Sequence, residues 1–123
     1  MKTYTWNEAI EYCKNLRLAG YDDWRLPTVK ELLTLVDYDR FNPAINPMFG
    51  GVASYYWSST TDVGDTSSAW YVGFNNGYVS SLTKTSYYYV RAVRSTKTRG
   101  GQCFFDNEDG TIQDNNTGLM WEK

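Results

Sequence analysis

Carboxylates, amides and hydroxyls make up the chemistry this chain can offer, because it contains no histidine. That removes the commonest general base, every Ser-His-Asp or Cys-His arrangement and any imidazole-held metal. Carboxylates remain for acid–base work at Asp22-Asp23, Asp37/Asp39 and Asp62/Asp65, yet each pair sits in turn-forming sequence, where aspartate caps local backbone. Catalysis is therefore not expected. The run Asp106-Asn107-Glu108-Asp109-Gly110 gathers hard oxygens in one loop, the donor set calcium takes. It misses the D-x-[DN]-x-[DN]-G spacing of an EF-hand and reads equally well as a β-turn, so no cofactor is expected, with calcium kept as the alternative. Two cysteines, Cys13 and Cys103, admit either a disulfide or two ordinary buried thiols.

The residue types in excess are those of a recognition surface. Aromatics form 17% of the chain and eleven of them are Tyr, which carries apolar area and a hydroxyl at low entropic cost. The candidate ligand-binding residues are Tyr55, Ser58, Thr61, Asp62, Asp65, Tyr71, Asn75, Asn76, Tyr78, Ser80, Ser81, Thr83, Thr85 and Tyr87. They interleave rigid aromatics with small polar side chains where no core dictates them. The alternative is a solvated β-face that uses Tyr as a strand former. With a net charge of −2 and basic residues scattered apart from Lys97 to Arg99, there is no footprint for nucleic acid or an anionic membrane. No apolar run approaches the ~20 residues that cross a bilayer, and the N-terminus lacks the apolar core of a signal peptide.

A sheet must hold these residues. Trp57 to Arg94 reads as the antiparallel strands of one sheet, and Trp70, Val72 and Phe74 alternate with Tyr71, Gly73 and Asn75. The first three should face a core and the others water. Asn76-Gly77 suits a two-residue type I′ turn, which sets Asn75 opposite Tyr78, Phe74 opposite Val79 and Gly73 opposite Ser80. Trp24, Trp57, Trp70 and Trp121 are expected in the core, with Arg25 and Arg91 in structural pairs with buried carbonyls or a carboxylate.

Two helices should cover the sheet. A capping box at Thr5 and Glu8 opens one over roughly Trp6 to Leu18, with Trp6, Ala9, Ile10, Cys13 and Leu16 on its apolar stripe. A second box at Thr28 and Glu31 opens another that stops near Asp37, with Leu32, Leu33, Leu35 and Val36 inward and Lys30 and Thr34 outward. The long loop that follows carries Asn42-Pro43, Asn46-Pro47 and Gly50-Gly51, and its Phe41, Ile45, Met48 and Phe49 predict a loop packed onto the domain. A terminal hairpin is expected from Thr111 to Asp114 and Leu119-Met120-Trp121. The whole, residues 1–123, fits one α+β domain.

Four stretches then carry a resemblance: T-W-N-E-A-I-E-Y-C-K-N-L-R-L-A-G-Y-D-D-W-R-L-P-T-V-K-E-L-L-T-L-V-D (Thr5 to Asp37), Y-Y-W-S-S-T (Tyr55 to Thr60), A-W-Y-V-G-F-N-N-G-Y-V (Ala69 to Val79) and Y-V-R-A-V-R (Tyr89 to Arg94). The chain resembles the bacterial family typified by the C-terminal domain of a collagen-like adhesin, first catalogued as a domain of unknown function. That resemblance implies a C-type lectin-like fold, two helices on a twisted antiparallel sheet. It also implies a binding or adhesion module for a protein or glycan, at an extracellular, cell or virion surface, as part of a larger protein, in oligomers or arrays. A structural repeat that associates with itself is the alternative. The family's opening strand is similar to D-N-E-D-G-T-I-Q-D-N-N-T-G-L-M-W, which here comes last, at Asp106 to Trp121, so either a circular permutation or a segment out of phase with a tandem array is expected. The calcium–sugar triplets of true C-type lectins, E-P-N or Q-P-D with W-N-D, do not occur. Arg25 to Leu33 resembles the formylglycine-generating enzymes of the same fold family, but Cys13, Cys103 and Ala92 do not meet their paired-cysteine motif. Domains of the resembled family are among the targets of diversity-generating retroelements. Such rewriting would leave variable Tyr, Ser, Asp, Gly and Thr around fixed Trp70, Val72, Phe74, Gly77, Val79 and Val90.

Overall fold

The computed structural model describes residues 2–50, 52–96 and 104–123. Helix α1 (Trp6–Asn15) starts where its capping box places it, with the Thr5 hydroxyl accepting from the Glu8 amide and the Glu8 carboxylate accepting from the Thr5 amide at 2.9 Å. It stops short of Leu18, because Leu16 turns extended and Ala19 and Gly20 both take positive φ. Its buried side is Ala9 and Cys13.

Helix α2 (Val29–Leu33) has the same box at Thr28, and here Glu31 has a second task. Its carboxylate caps the helix and also takes both Nη atoms of Arg25, at 2.7 and 2.8 Å. Past Leu33 the chain continues in single turns, Leu35 N–H to the Leu32 carbonyl and Val36 N–H to that of Leu33, which still delivers Leu35 inward.

The strands form two sheets where the sequence predicts one. β1 (Tyr55–Thr61), β2 (Ser68–Gly73) and β3 (Tyr78–Thr83) make an antiparallel sheet in the order β1-β2-β3. β4 (Val93–Ser95), β5 (Phe104–Asp106), β6 (Thr111–Asp114) and β7 (Leu119–Glu122) make another, β4-β7-β6-β5. The segment before β4 changes partners as it runs. Tyr88 exchanges main-chain bonds with Tyr4, Tyr89 bonds Tyr55 and Trp57 on β1, and Val93 exchanges bonds with Arg25 while pairing with Trp121 on β7. The terminal hairpin forms as predicted, and β7 lies between β4 and β6.

Strand β2 is buried on both faces. Val72 and Phe74 enter a core with Leu32, Leu35, Tyr56 and Trp121, while Ala69 and Tyr71 enter a second with Ala9, Cys13, Trp24 and Trp57. The alternation is as predicted, but the side expected to be wet is covered by α1 and by Tyr88. Trp24 and Trp57 are buried and donate their indole N–H groups to the carbonyls of Leu18 and Tyr4. Trp121 is fully buried, whereas Trp70, expected in the core, is half-buried and belongs to neither cluster. Arg91 is 2% exposed and donates to the carbonyls of Glu122 at 2.7 Å and Gly50 at 2.5 Å. Cys13 is a buried free thiol, one of the two states the sequence left open, and Cys103 lies outside the described residues.

The β2–β3 connection also differs from the two-residue turn. Gly73 faces Tyr78, Val72 faces Val79 and Tyr71 faces Ser80. Phe74 is claimed from elsewhere: its N–H bonds Ser54, its carbonyl takes Ala44 N–H at 2.6 Å, and the Asn75 carbonyl takes Asn42 N–H. The loop instead closes with Gly77 N–H on the Gly73 carbonyl at 2.8 Å. This slip preserves which side chains share a face, since side chains alternate with period 2.

Gly77 has φ +83°, and a Cβ there would lie 2.8 Å from both Val36 Cγ1 and Tyr38 Cε1. Gly20 has φ +82° with open space around it. Gly20→Ala should therefore cost only the backbone strain, roughly 1–2 kcal/mol, and Gly77→Ala clearly more, in urea unfolding. Equal costs would contradict the close approach of Tyr38 and Val36 to the turn.

Candidate functional site

Three tyrosine rings pack on the α1 side of the sheet. Tyr55 lies 4.8 Å from Tyr71 and 5.5 Å from Tyr88, and Tyr71 lies 5.1 Å from Tyr88, measured between ring centroids. Tyr78 joins them at 6.4 Å from Tyr71. Strand register produces this, since Tyr71, Ser80, Gly73 and Tyr78 are cross-strand partners on one face, while Tyr88 is brought over it by its pairing with Tyr4. Gly73 is required beneath them, because a Cβ there would lie 3.0 Å from the Tyr55 ring.

Exposure grades along the row. Tyr71 is 5% exposed, Tyr55 and Tyr88 are half-buried, and Tyr78 is 53% exposed. Tyr71 is thus the floor of the face and not one of its wet residues, which corrects the expectation. Ser58 is corrected likewise: it is fully buried and its hydroxyl donates to the Trp70 carbonyl at 2.7 Å. Asn76, Tyr87, Thr85 and Thr83 are exposed, and Asn75 and Ser80 are half-buried. Ser81 lies on the opposite side of β3 from Ser80, opposite Trp70, and its hydroxyl donates to Asp62 at 2.8 Å. The candidate residues are therefore divided between two faces.

The aspartates of the β1–β2 loop are engaged with their own turn. Asp65 accepts from the amide and hydroxyl of Ser67 and the hydroxyl of Ser68, and these bonds hold its carboxyl below the usual range. Asp62 accepts from Gly64 N–H as well as from Ser81. Thr61, at the end of β1, is half-buried opposite Ala69. In the loop considered for calcium, Asp106 accepts from Glu108 N–H and pairs with Lys123, and Asp109 accepts from the amide and hydroxyl of Thr111. Among the described residues no group of three or more His, Cys, Asp and Glu comes together to hold a metal.

Two aromatics missed from sequence join the site at the sheet's tip. Tyr38 is 72% and Phe41 76% exposed, on a loop closed by Asp37 N–H on the Ala44 carbonyl and by the Asp37 carboxylate on Asp39 N–H and Arg40 Nε. Asn42 ties that loop to Asn75, and the Tyr38 ring lies against Gly77. The signal in sequence was an aromatic pair flanking Asp39-Arg40, and the expectation that Phe41 packs onto the domain is corrected by its exposure. Concavities of about 440 and 470 Å³ lie elsewhere, one along α1 beside Tyr4 and Tyr12, the other between Tyr21, Asn107 and Gln113. Neither concavity is lined by Tyr55, Tyr71, Tyr78 or Tyr88.

Burial raises the pKa values of Tyr71 and Tyr88, with each other's phenol adding to it at Tyr88. The unfolded chain then loses these protons first, near the ordinary pH of about 10, and the native state holds more protons in the window above it. Stability is full below that pH and falls as pH rises through the window. Tyr71→Phe should leave a difference from the native chain that is constant below about pH 10 and narrows above it, read by urea unfolding across pH. A difference that stays constant into strong alkali would contradict the buried phenol.

Comparison with known proteins adds one finding. The family described as the Lcl C-terminal domain matches residues 1–94, from before α1 through β3 to Arg94. None of the curated proteins compared with the chain matches it. Among the described residues, no helix is long and apolar enough to cross a membrane. With the capping boxes, the tyrosine-bearing strands and the Y-V-R-A-V-R segment all inside the match, this chain belongs to the Lcl C-terminal domain family.

Proposed function

We propose that the protein is a non-catalytic recognition module that binds a protein or glycan through the α1-side face of β1–β3 and the adjoining sheet tip. One observation carries this: tilted, mutually packed tyrosines that run from a buried floor at Tyr71 to an exposed rim at Tyr78. Rings fixed by their neighbours lose little entropy on contact, and the small polar Ser80, Asn75 and Asn76 beside them supply adaptable hydrogen bonds. Tyr38 and Phe41 on the adjoining loop, and Tyr87 next to Tyr88 in the chain, are further exposed aromatics.

Family membership supports work as one part of a larger surface-type protein, and an extracellular position is part of the same proposal. Repetition there raises weak single-site affinity through effective concentration. The exposed set is also what retroelement rewriting would leave around fixed Val72 and Phe74, and a template repeat beside the coding sequence is the mark of it. The hairpin of β6 and β7, seated beside β4, fits the role of the family's opening strand in a permuted order.

The ligand is sought on glycan and surface-protein arrays. Tyr78→Ala, Tyr87→Ala and Phe41→Ala should each weaken its binding about tenfold or more and leave the thermal midpoint nearly unchanged. Tyr71→Ala should instead cost about 3–5 kcal/mol of stability, as a core truncation does. Unchanged affinity in all three rim variants would overturn the proposal.

A further inference from the structure

Among the described residues, the outer edge of β3 has no strand beside it. In the order β1-β2-β3 it is the free side of the sheet, whereas the β1 side is closed by Tyr89. Which groups it leaves open follows from the ladder. Lys84 N–H bonds the Ser67 carbonyl at 2.9 Å, one step beyond the Ser68–Thr83 pair, and an antiparallel ladder alternates. Tyr78, Ser80 and Leu82 therefore turn their main-chain groups toward β2, and Val79, Ser81 and Thr83 turn theirs away. The Thr83 carbonyl takes Ser86 N–H at 3.0 Å, while no main-chain bond engages Val79 or Ser81 on that side among the described residues.

Native sheets protect such edges with charge, proline or a bulge. β3 reads Y-V-S-S-L-T, without charge or proline, and its register with β2 is unbroken. Tyr78 and Leu82, both exposed at its two ends, share the α1-side face with Ser80.

We propose that this edge pairs with the same edge of a second copy, antiparallel, about a two-fold axis at Ser80. In that register Val79 of each copy faces Ser81 of the other, and every outward N–H and C=O of the two residues is used. The same register sets Tyr78 of each copy opposite Leu82 of the other, as a directly facing pair whose side chains approach closely. One displacement thus satisfies the open backbone and covers both exposed apolar side chains, which is why a second copy fits better than an unrelated strand. The two-fold stands perpendicular to the sheet, so the tyrosine faces of the two copies lie on the same side and become continuous. The contact is smaller than a standard interface of ~1,600 Å², so the dimer is weak and favoured in arrays.

Light scattering on the chain up to about 1 mM tests this, with Ser81→Pro as the edge variant, since it removes an outward N–H and no bond to β2. Mass should rise toward twice the monomer, and Ser81→Pro should weaken the association at least tenfold. Ser80→Cys in a Cys103→Ser background gives a second readout, because facing residues at the two-fold lie about 4.5 Å apart between Cα atoms, close enough for a disulfide. It should cross-link on mild oxidation, and Thr83→Cys in the same background should not. A chain monomeric throughout whose Ser80→Cys variant does not cross-link would overturn the proposal, as would a Ser81→Pro dimer as tight as the native one. Ligand binding by the face does not depend on this pairing, and Ser81→Pro leaves the Tyr78 side chain in place, so the two proposals fail separately.

Discussion

One buried guanidinium sets the terms for the rest of the structure. Arg91 sits where the chain passes from one sheet to the other, and moving its charge out of water is costly unless its donors are met. Its two Nη groups are met by neutral groups, the carbonyls of Gly50 and Glu122, and the faces of Phe49 and Tyr56 lie at 5.2 and 5.6 Å, while its buried Nε has no hydrogen-bond partner among the described residues. The nearby negative charge is the Glu122 carboxylate, which accepts from Ala92 N–H and from the Tyr12 hydroxyl. A single side chain thereby fixes the long loop, the final strand and, through Glu122, helix α1. The segment around it can then spend its main chain on Tyr4, β1, Arg25 and β7 in turn.

That arrangement decides where the proposed recognition can occur. With α2 on one side of β2 and α1 with Tyr88 on the other, the middle of the three-stranded sheet is committed to two cores. What remains for a stranger is the periphery: the outer tyrosines, the tip where the 37–44 loop meets the β2–β3 turn, and the free edge of β3. A tyrosine floor packed on Trp57 and Tyr55 gives that periphery a rigid base, so change at the rim need not disturb the fold.

The sequence disclosed what is local. Both capping boxes sit where the Thr-x-x-Glu spacing puts them, and the alternation of Val72 and Phe74 with Tyr71 is correct. It did not disclose what arrives from far along the chain. Tyr71 looked wet because its cover, Tyr88 and α1, lies distant in sequence; Asn76-Gly77 looked like a two-residue turn because nothing nearby shows that residues 42–44 will take Phe74. The division into two sheets had the same cause, since Val93 leaves β1 for partners on either end of the chain. Phe41 read as an apolar loop residue that would pack and Tyr38 gave no signal of its own, while the Asp37 lock and the contact of Tyr38 with Gly77 hold the loop at the sheet tip with both exposed.

The proposed recognition rests on an exposed aromatic rim around a buried tyrosine floor. Aromatic proton relaxation by a soluble paramagnet measures this ring by ring in solution. Strong relaxation is expected for Tyr38, Phe41, Tyr78 and Tyr87, and little for Tyr56, Trp57 and Tyr71. Relaxation of Tyr71 as strong as that of Tyr78 would contradict it.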